Sequence, residues 1–213
     1  MIASLRTWKG TPWVGGTLLL LVGALAVFFL TGNPATEAAS VNQDYADDIT
    51  FGPPDAAVVF LEYADFQCPA CATYSTVLNP LREEFKDDVL FVFRFYPLSN
   101  HEYGMISSQV AYAAFLQGKF WEMHDLLYEN QEQWVESADP SPYFDQYAAA
   151  IGLDMDRFHE DALAQSTIDL IVRQKTEAVE GGVDHTPYFF LNGTTVQPRV
   201  DEKEFRTLIE EQL

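Results

Sequence analysis

The chain has 213 residues, 48% of them hydrophobic, and a formal net charge of −20, which is enough apolar material for one domain of ordinary size plus extra segments. Residues 1–36 carry Arg6 and Lys9 and no acid, so the remainder holds 12 − 2 = 10 bases against 32 acids, a net of −22. An excess of that size disfavours binding to nucleic acid or to anionic lipid headgroups.

No charged residue lies between Lys9 and Glu37, and the run from Pro12 to Thr31 is mostly Leu, Val, Ala, Phe and Gly. It matches the length of about 20 apolar residues that a helix needs to span the hydrocarbon core. Trp8 and Trp13 fall where an aromatic belt sits. Bases before the run and acids after it predict a cytoplasmic N-terminus, with the bulk of the chain outside. The alternative is a cleavable signal peptide cut near Thr36-Glu37-Ala38, but the run is long for a signal core. A single-pass, uncleaved anchor in the cell membrane is the favoured reading. Under either, the folded part lies outside the cytoplasm, periplasmic or extracellular, where disulfides persist.

Residues 33–48 are polar, acidic and rich in small side chains, and read as a tether with a reach of about 20–25 Å. Gly52-Pro53-Pro54-Asp55 then makes a turn before a strand over Ala57 to Tyr63, with a weaker strand near Ile49 to Phe51. After Cys68, Tyr74, Val77, Leu78, Leu81 and Phe85 recur at helical spacing, with a kink expected near Asn79 ahead of Pro80. Val89 to Tyr96 is the clearest strand. Strand, helix and strand in this order predict a right-handed βαβ unit with parallel strands.

From His101 to about Val179 the sequence reads as helices: Met105 to Gln117, Phe120 to Trp134, Tyr143 to Ile151 and Asp154 to Glu180, the last capped by Asp154. Phe115, Phe120, Trp121 and Tyr128 form an aromatic stripe that reads as helix core. Strand chemistry returns at Thr186 to Leu191. Asn192-Gly193 predicts a hairpin onto Thr194 to Gln197. A C-terminal helix follows, with Phe205, Leu208, Ile209 and Gln212 on one face. The expected organisation is a cytoplasmic tip and anchor over 1–32, a tether over 33–48, a first α/β part over 49–99, a helical insertion over 100–180 and a second α/β part over 181–213.

Cys68 and Cys71 are the only cysteines. A pair closing so short a loop adds little stability, which favours a reactive over a structural dithiol. With Cys68 at or near the helix N-cap and Pro69 in the first turn, free N–H groups and the helix dipole favour an anionic sulfur. Cys68 is then the expected nucleophile and Cys71, on the same face, the resolving thiol. Zinc is disfavoured, because the histidines at 101, 124, 159 and 185 form no pair at ligand spacing.

Four stretches carry a resemblance to a known family: Glu62-Tyr63-Ala64-Asp65-Phe66-Gln67-Cys68-Pro69-Ala70-Cys71, Phe93-Arg94-Phe95-Tyr96-Pro97-Leu98, Gly118 to Leu127, and Gly182 to Gly193. With them the chain resembles DsbA-like thiol–disulfide oxidoreductases, particularly the membrane-anchored bacterial branch. The resemblance implies an α/β thioredoxin-like fold interrupted by an all-helical insertion, with Pro187 in a cis peptide beside the cysteines. It implies that the Thr186–Pro187 loop pairs with an extended substrate segment, alongside Pro69 and Ala70 of the motif. Glu62 resembles the family's buried acid, which assists proton transfer at the resolving cysteine; a solvated Glu on a sheet edge is the alternative.

Phe66 is expected to be an exposed apolar contact near the site. His185 stands where the family often has a small residue; it stabilises the thiolate if it lies near Cys68 and is otherwise a surface histidine. Ala70 replaces the histidine of the strongly oxidising prototype, which leaves the direction of electron flow open. The implied activity is oxidation of dithiols in reduced or unfolded exported proteins. The redox-active disulfide serves in place of any cofactor, and a quinone-linked membrane thiol oxidase is the implied reoxidant. The competing readings are a reductase or isomerase of the same fold, and a tethered binding module whose cysteines are structural.

Overall fold

Val89–Phe95 is buried at every position, as a strand must be when it has neighbours on both sides and helices over both faces. In the computed structural model, which describes residues 43–213, it is the third strand of a five-stranded sheet ordered β1-β3-β2-β4-β5. The strands are β1 (Ile49–Phe51), β2 (Val58–Ala64), β3 (Val89–Phe95), β4 (Tyr188–Leu191) and β5 (Thr194–Val196). β2 and β3 pair in parallel, and every other pairing is antiparallel. The weak strand near Ile49 is therefore real, paired from Ile49↔Phe93 to Phe51↔Phe91. The expected hairpin also forms: Asn192 and Gly193 both take positive φ, 48° and 75°, as a two-residue turn between twisted strands requires.

The parity of β2 sorts the core. Val58 and Phe60 pack with Leu78 and Leu81 of helix α1 (Pro69–Glu84), with its C-cap residue Phe85, and with Phe205 and Ile209 of the C-terminal helix. Leu61 and Tyr63 point to the other face, where Ala178 of a long helix covers them. The connection from β3 to that helix is a helical block: α2 (Gly104–Phe115), α3 (Phe120–Glu129), α4 (Gln131–Val135), α5 (Ser141–Ala150), α6 (Met155–Leu163) and α7 (Gln165–Glu180). The C-terminal helix is α8 (Glu202–Glu210). This is the mixed α/β, thioredoxin-like arrangement with a helical insertion that the resemblance implies. Among the described residues no helix is long and apolar enough to cross a membrane; the expected anchor over 12–31 lies outside them.

Two expectations are corrected. The single helix expected from Asp154 to Glu180 is two, because Ala164 is extended (φ −63°, ψ 137°) and ends α6 before α7 begins. Asp154 does cap α6, accepting from Arg157 N at 3.1 Å. The segment expected from Phe120 to Trp134 likewise divides at Asn130. The helix α1 itself continues past Pro80 to Glu84. The missing N–H costs one helical bond at an exposed position, where water can serve the freed carbonyl of Thr76.

The tether is shorter than its composition suggested. Asp48 is buried against Arg94 of β3: Arg94 Nε donates to both Asp48 oxygens at 3.0 Å, and the pair's side chains are 3% and 7% exposed. Arg94 also donates to Tyr63 Oη at 2.9 Å and to the Asp44 carbonyl at 3.3 Å. Gln174 of α7 completes the arrangement, donating to Asp48 at 3.1 Å while accepting from Phe95 N at 2.9 Å. A guanidinium on a central strand needs a carboxylate beside it, and residues 44–48 fold back to supply one. Asp48→Ala is expected to destabilise the domain by about 3–5 kcal/mol, measured as a lowered urea midpoint with an unchanged m-value.

Candidate active site

The dithiol sits where β2 ends and α1 begins. Cys68 is the N-cap residue, with extended backbone (φ −72°, ψ 119°), and Pro69 follows in the first turn. The sequence dictates this start: proline suits the first turn, where its missing N–H has no helical partner to lose. Cys68 is 6% exposed and Cys71 fully buried, so the two sulfurs share one site but differ in access. Both are free thiols here. Pro69 and Ala70 are exposed beside them. Across from α1 lies the loop before β4, where the Thr186–Pro187 peptide is cis. The Cys68 thiol donates to the Thr186 carbonyl oxygen at 3.5 Å.

This geometry separates the two thiols electrostatically. The Cys68 pKa is lowered to about 5, chiefly by a hydrogen bond from the Cys71 thiol; burial opposes this, while the Thr186 hydroxyl and the backbone N–H groups of Cys71 and Ala70 assist. The Cys71 pKa is raised well above its ordinary value, first by burial and then by the neighbouring Cys68 sulfur and by Glu62. Hydrogen bonds to a thiolate favour it, and desolvation without them disfavours it.

Glu62 lies on β2 between Phe93 of β3 and Phe189 of β4, so it is central in the sheet and not on an edge. It keeps a little accessible surface because it opens on a small cavity under α1. Burial pushes its pKa up to about 8; the Arg82 charge works against that shift and the Cys68 thiolate adds to it.

One expectation fails here and one alternative is decided. Phe66 is not exposed: it is fully buried, stacked on Phe93 at 5.4 Å between ring centroids and 4.9 Å from Tyr128. The helical insertion covers it, joining Phe120 and Tyr128 to the sheet's own phenylalanines, so it is a wall of the site and not a contact surface. His185 is the surface histidine of the two readings. Its Nδ1 is 2.6 Å from Asp184 Oδ1 and its ring 4.9 Å from Tyr188, and it makes no hydrogen bond to Cys68.

The structure also supplies residues that sequence reasoning passed over. Asp65 is fully buried, and its carboxyl accepts from Gln67 N at 2.8 Å and Leu98 N at 2.7 Å and meets His101 Nδ1 at 2.7 Å. Its carbonyl accepts from Cys68 N at 3.0 Å. Gln131 of α4 donates to the carbonyls of Phe66 and Cys68 at 2.6 and 3.0 Å, and Tyr103 N donates to Gln67 Oε1 at 2.6 Å. Asp65 was available as a signal, being an acid inside an apolar run immediately before the cysteines. Gln131, 60 residues downstream in an ordinary polar stretch, offered none.

The family model described as Thioredoxin matches residues 44–211. Among curated proteins, the Na(+)/H(+) antiporter NhaA of Herminiimonas arsenicoxydans is 33% identical over 159 residues, covering 75% of this chain and 24% of that protein. The chain thus spans about a quarter of that relative's length. Two solved structures share the fold. Wolbachia pipientis alpha-DsbA1 superposes with a TM-score of 0.69 at 21% identity, over 78% of this chain and 91% of that one. Oxidised BdbD from Bacillus subtilis gives 0.71 at 18% identity, over 82% and 97%.

Two outcomes test the site's electrostatics. Thiolate absorbance of the reduced protein is expected to titrate with a midpoint near pH 5, with alkylation at pH 7 confined to Cys68. Glu62 predicts a stability effect. The unfolded chain ionises it near 4.5 whereas the folded chain holds the proton to about 8, so between those values the unfolded state binds fewer protons and stability falls as pH rises. Glu62→Gln should therefore raise the thermal midpoint at pH 8, corresponding to about 1–3 kcal/mol, and change it little at pH 4.

Proposed function

The chain belongs to the thioredoxin family, and from that membership together with the Cys68/Cys71 geometry we propose that it is an extracytoplasmic thiol–disulfide oxidoreductase oxidising dithiols of exported proteins. One observation carries the reading: an N-cap cysteine that ionises at about 5 stands beside a buried, protonated partner thiol and under the Thr186–Pro187 backbone. A structural pair has no need of such a difference between its sulfurs.

In the oxidising direction the enzyme starts as the Cys68–Cys71 disulfide. A substrate thiolate attacks Cys68 Sγ, the sulfur with an accessible edge. A substrate–Cys68 bond forms, the Cys68–Cys71 bond breaks, and its electron pair stays on Cys71. Cys71 cannot hold charge in its buried setting, so it takes a proton, and Glu62, protonated at neutral pH, is the group that faces it. A second substrate thiolate then attacks the substrate sulfur of the mixed disulfide, and Cys68 leaves as a thiolate. Two substrate thiols have become a disulfide and the enzyme holds two electrons.

The leaving step favours this direction. A thiol that ionises at about 5 instead of at its ordinary value is stabilised as thiolate at pH 7 by roughly 2–3 kcal/mol. That shifts its couple toward oxidising by about 60 mV. Ala70 removes one conceivable stabiliser, yet hydrogen bonds from Cys71, Thr186 and the helix N-terminus remain. An extended substrate segment pairs with the Thr186 main chain, with Pro69 and Ala70 on the exposed side of the sulfur.

The substrates proposed are reduced exported proteins. The apolar segment over 12–31 tethers the enzyme to the outer side of the cell membrane, and a quinone-linked membrane thiol oxidase restores the disulfide. The antiporter names belong to proteins of which this chain matches about a quarter; the chemistry proposed rests on the dithiol alone.

The test is trapping and equilibrium. Cys71→Ser, incubated with a protein disulfide, should accumulate a mixed disulfide through Cys68, whereas Cys68→Ser should accumulate none. Equilibration of the wild type with glutathione should place its potential in the oxidising range, well above that of cytosolic reductants. A potential matching those reductants reassigns the protein as a reductase or isomerase. A Cys68 inert to alkylation at pH 7 makes it a binding module.

A further inference from the structure

Behind Glu62, between α1 and α3, lies a cavity of about 20 Å³ lined by Glu62, Ser75, Asn79, Arg82, Trp121 and His124 among others. That volume holds one water molecule. Its cation is unusual in placement. Arg82 is 5% exposed, and its guanidinium is fastened from one side only. Nη1 donates to Asn79 Oδ1 at 3.3 Å, and Nη2 donates to Asp125 Oδ1 and Oδ2 at 3.4 and 3.1 Å. Its carbon lies 4.3 Å from the centre of the Trp121 ring. Nε is buried and has no hydrogen-bond partner in the protein.

Asp125 is held in turn by Asn79 Nδ2 at 3.0 Å and His124 Nδ1 at 2.8 Å. A buried donor left open on a water-sized cavity that is otherwise walled largely by Phe60, Leu78 and Phe91, and that also receives a carboxyl, points to the groups it serves.

We propose that Arg82 is a positioning residue for the proton step at the dithiol: Asp125 of the helical insertion holds it so that its open Nε and its charge face Glu62 across a one-water cavity. The proposal rests on the reading of Glu62 as the proton partner of Cys71, and adds that the insertion sets how readily Glu62 gives that proton up. The balance of the step is unchanged. One proton passes from the Glu62 carboxyl to Cys71 as the Cys68–Cys71 bond breaks, and it is replaced from solvent through the cavity.

The charged and titratable groups that bear on Glu62 are Cys68, Cys71 and Arg82 of α1 and its cap, and His124 and Tyr128 of α3, with Asp125 of α3 acting through its ion pair with Arg82; its neighbours on the sheet are Phe93 and Phe189. Burial lowers the His124 pKa, so the imidazole is neutral at pH 7. Arg82 is then the positive member, Asp125 its counter-charge, and removing either one changes the field at Glu62 in opposite senses.

That opposition is the test. The Glu62 carboxyl is followed by ¹³C NMR in the reduced, full-length protein, with its signal assigned by loss in Glu62→Gln. Arg82→Met removes the positive charge and should move the Glu62 midpoint up by about 0.5–1 pH unit; Asp125→Asn leaves that charge uncompensated and should move it down by a similar amount. Loosened packing would admit water and move both midpoints down, so an unmoved or lowered midpoint in the Arg82 variant overturns the proposal. Should Arg82→Met not fold, Arg82→Gln keeps hydrogen-bonding capacity without charge, and the same two outcomes decide. The underlying reading fails separately: if the pH–rate profile of enzyme reduction is the same in Glu62→Gln as in wild type, Glu62 is not the proton donor, whatever the NMR midpoints show.

Discussion

The site is assembled around one buried carboxyl group, that of Asp65. It directly follows β2, and its two oxygens collect the Gln67 and Leu98 backbone N–H groups and the His101 ring nitrogen, while its carbonyl receives Cys68 N. Those partners come from the redox motif, from the end of β3 and from the entry to the helical insertion. A carboxyl group is taken out of water only where such donors replace it, and removing them leaves a costly charge. The constraint therefore runs both ways: the motif loop, the segment after Pro97 and the start of α2 have to meet at Asp65. Gly104, the first residue of α2, is part of the fit, because a Cβ there would lie 3.0 Å from Asp65 Oδ2.

The sheet was readable because each strand carries a local signature. β3 is an unbroken apolar run stopped by a proline, β2 alternates between two different cores, and Asn192-Gly193 requires the positive φ angles that a hairpin turn uses. The helical block was readable as helix but not as separate helices. Ala164 and Asn130 are ordinary residues in helical periodicity, and at Ala164 a side chain of the next helix serves the last turn of α6: Thr167 Oγ1 donates to the Asp161 carbonyl across the break. Asp48 shows the same limit. Its composition matches a tether, and only the buried Arg94 on β3 explains why the chain folds back.

The candidate site divides along the same line. Cys68, Pro69 and Cys71 could be placed from spacing and helix-start chemistry alone, and Thr186 and Pro187 needed the family resemblance to join them. Phe66 was misplaced because the face of the sheet it lies on is covered by Phe120 and Tyr128, residues more than 50 positions away. Gln131 was invisible for a related reason. Nothing in a polar helix start shows that its amide will reach two carbonyls of a distant loop.

These long-range contacts give the insertion a role beyond covering the sheet. Cys68 and Cys71 belong to the same buried cluster as the insertion's Phe120, Met123 and Tyr128, whereas the α1 and α8 face forms a separate core. The insertion thus provides the burial that raises Cys71 and Glu62, and Gln131 fixes the carbonyl of the N-cap residue. The helix start by itself would make both thiols more acidic, since its N–H groups and dipole favour any nearby anion. Burial against the insertion, together with the Cys68 sulfur and Glu62, keeps the second thiol protonated while the first ionises. The difference in acidity between the two sulfurs is therefore a product of both halves of the chain, and the dithiol motif alone does not contain it.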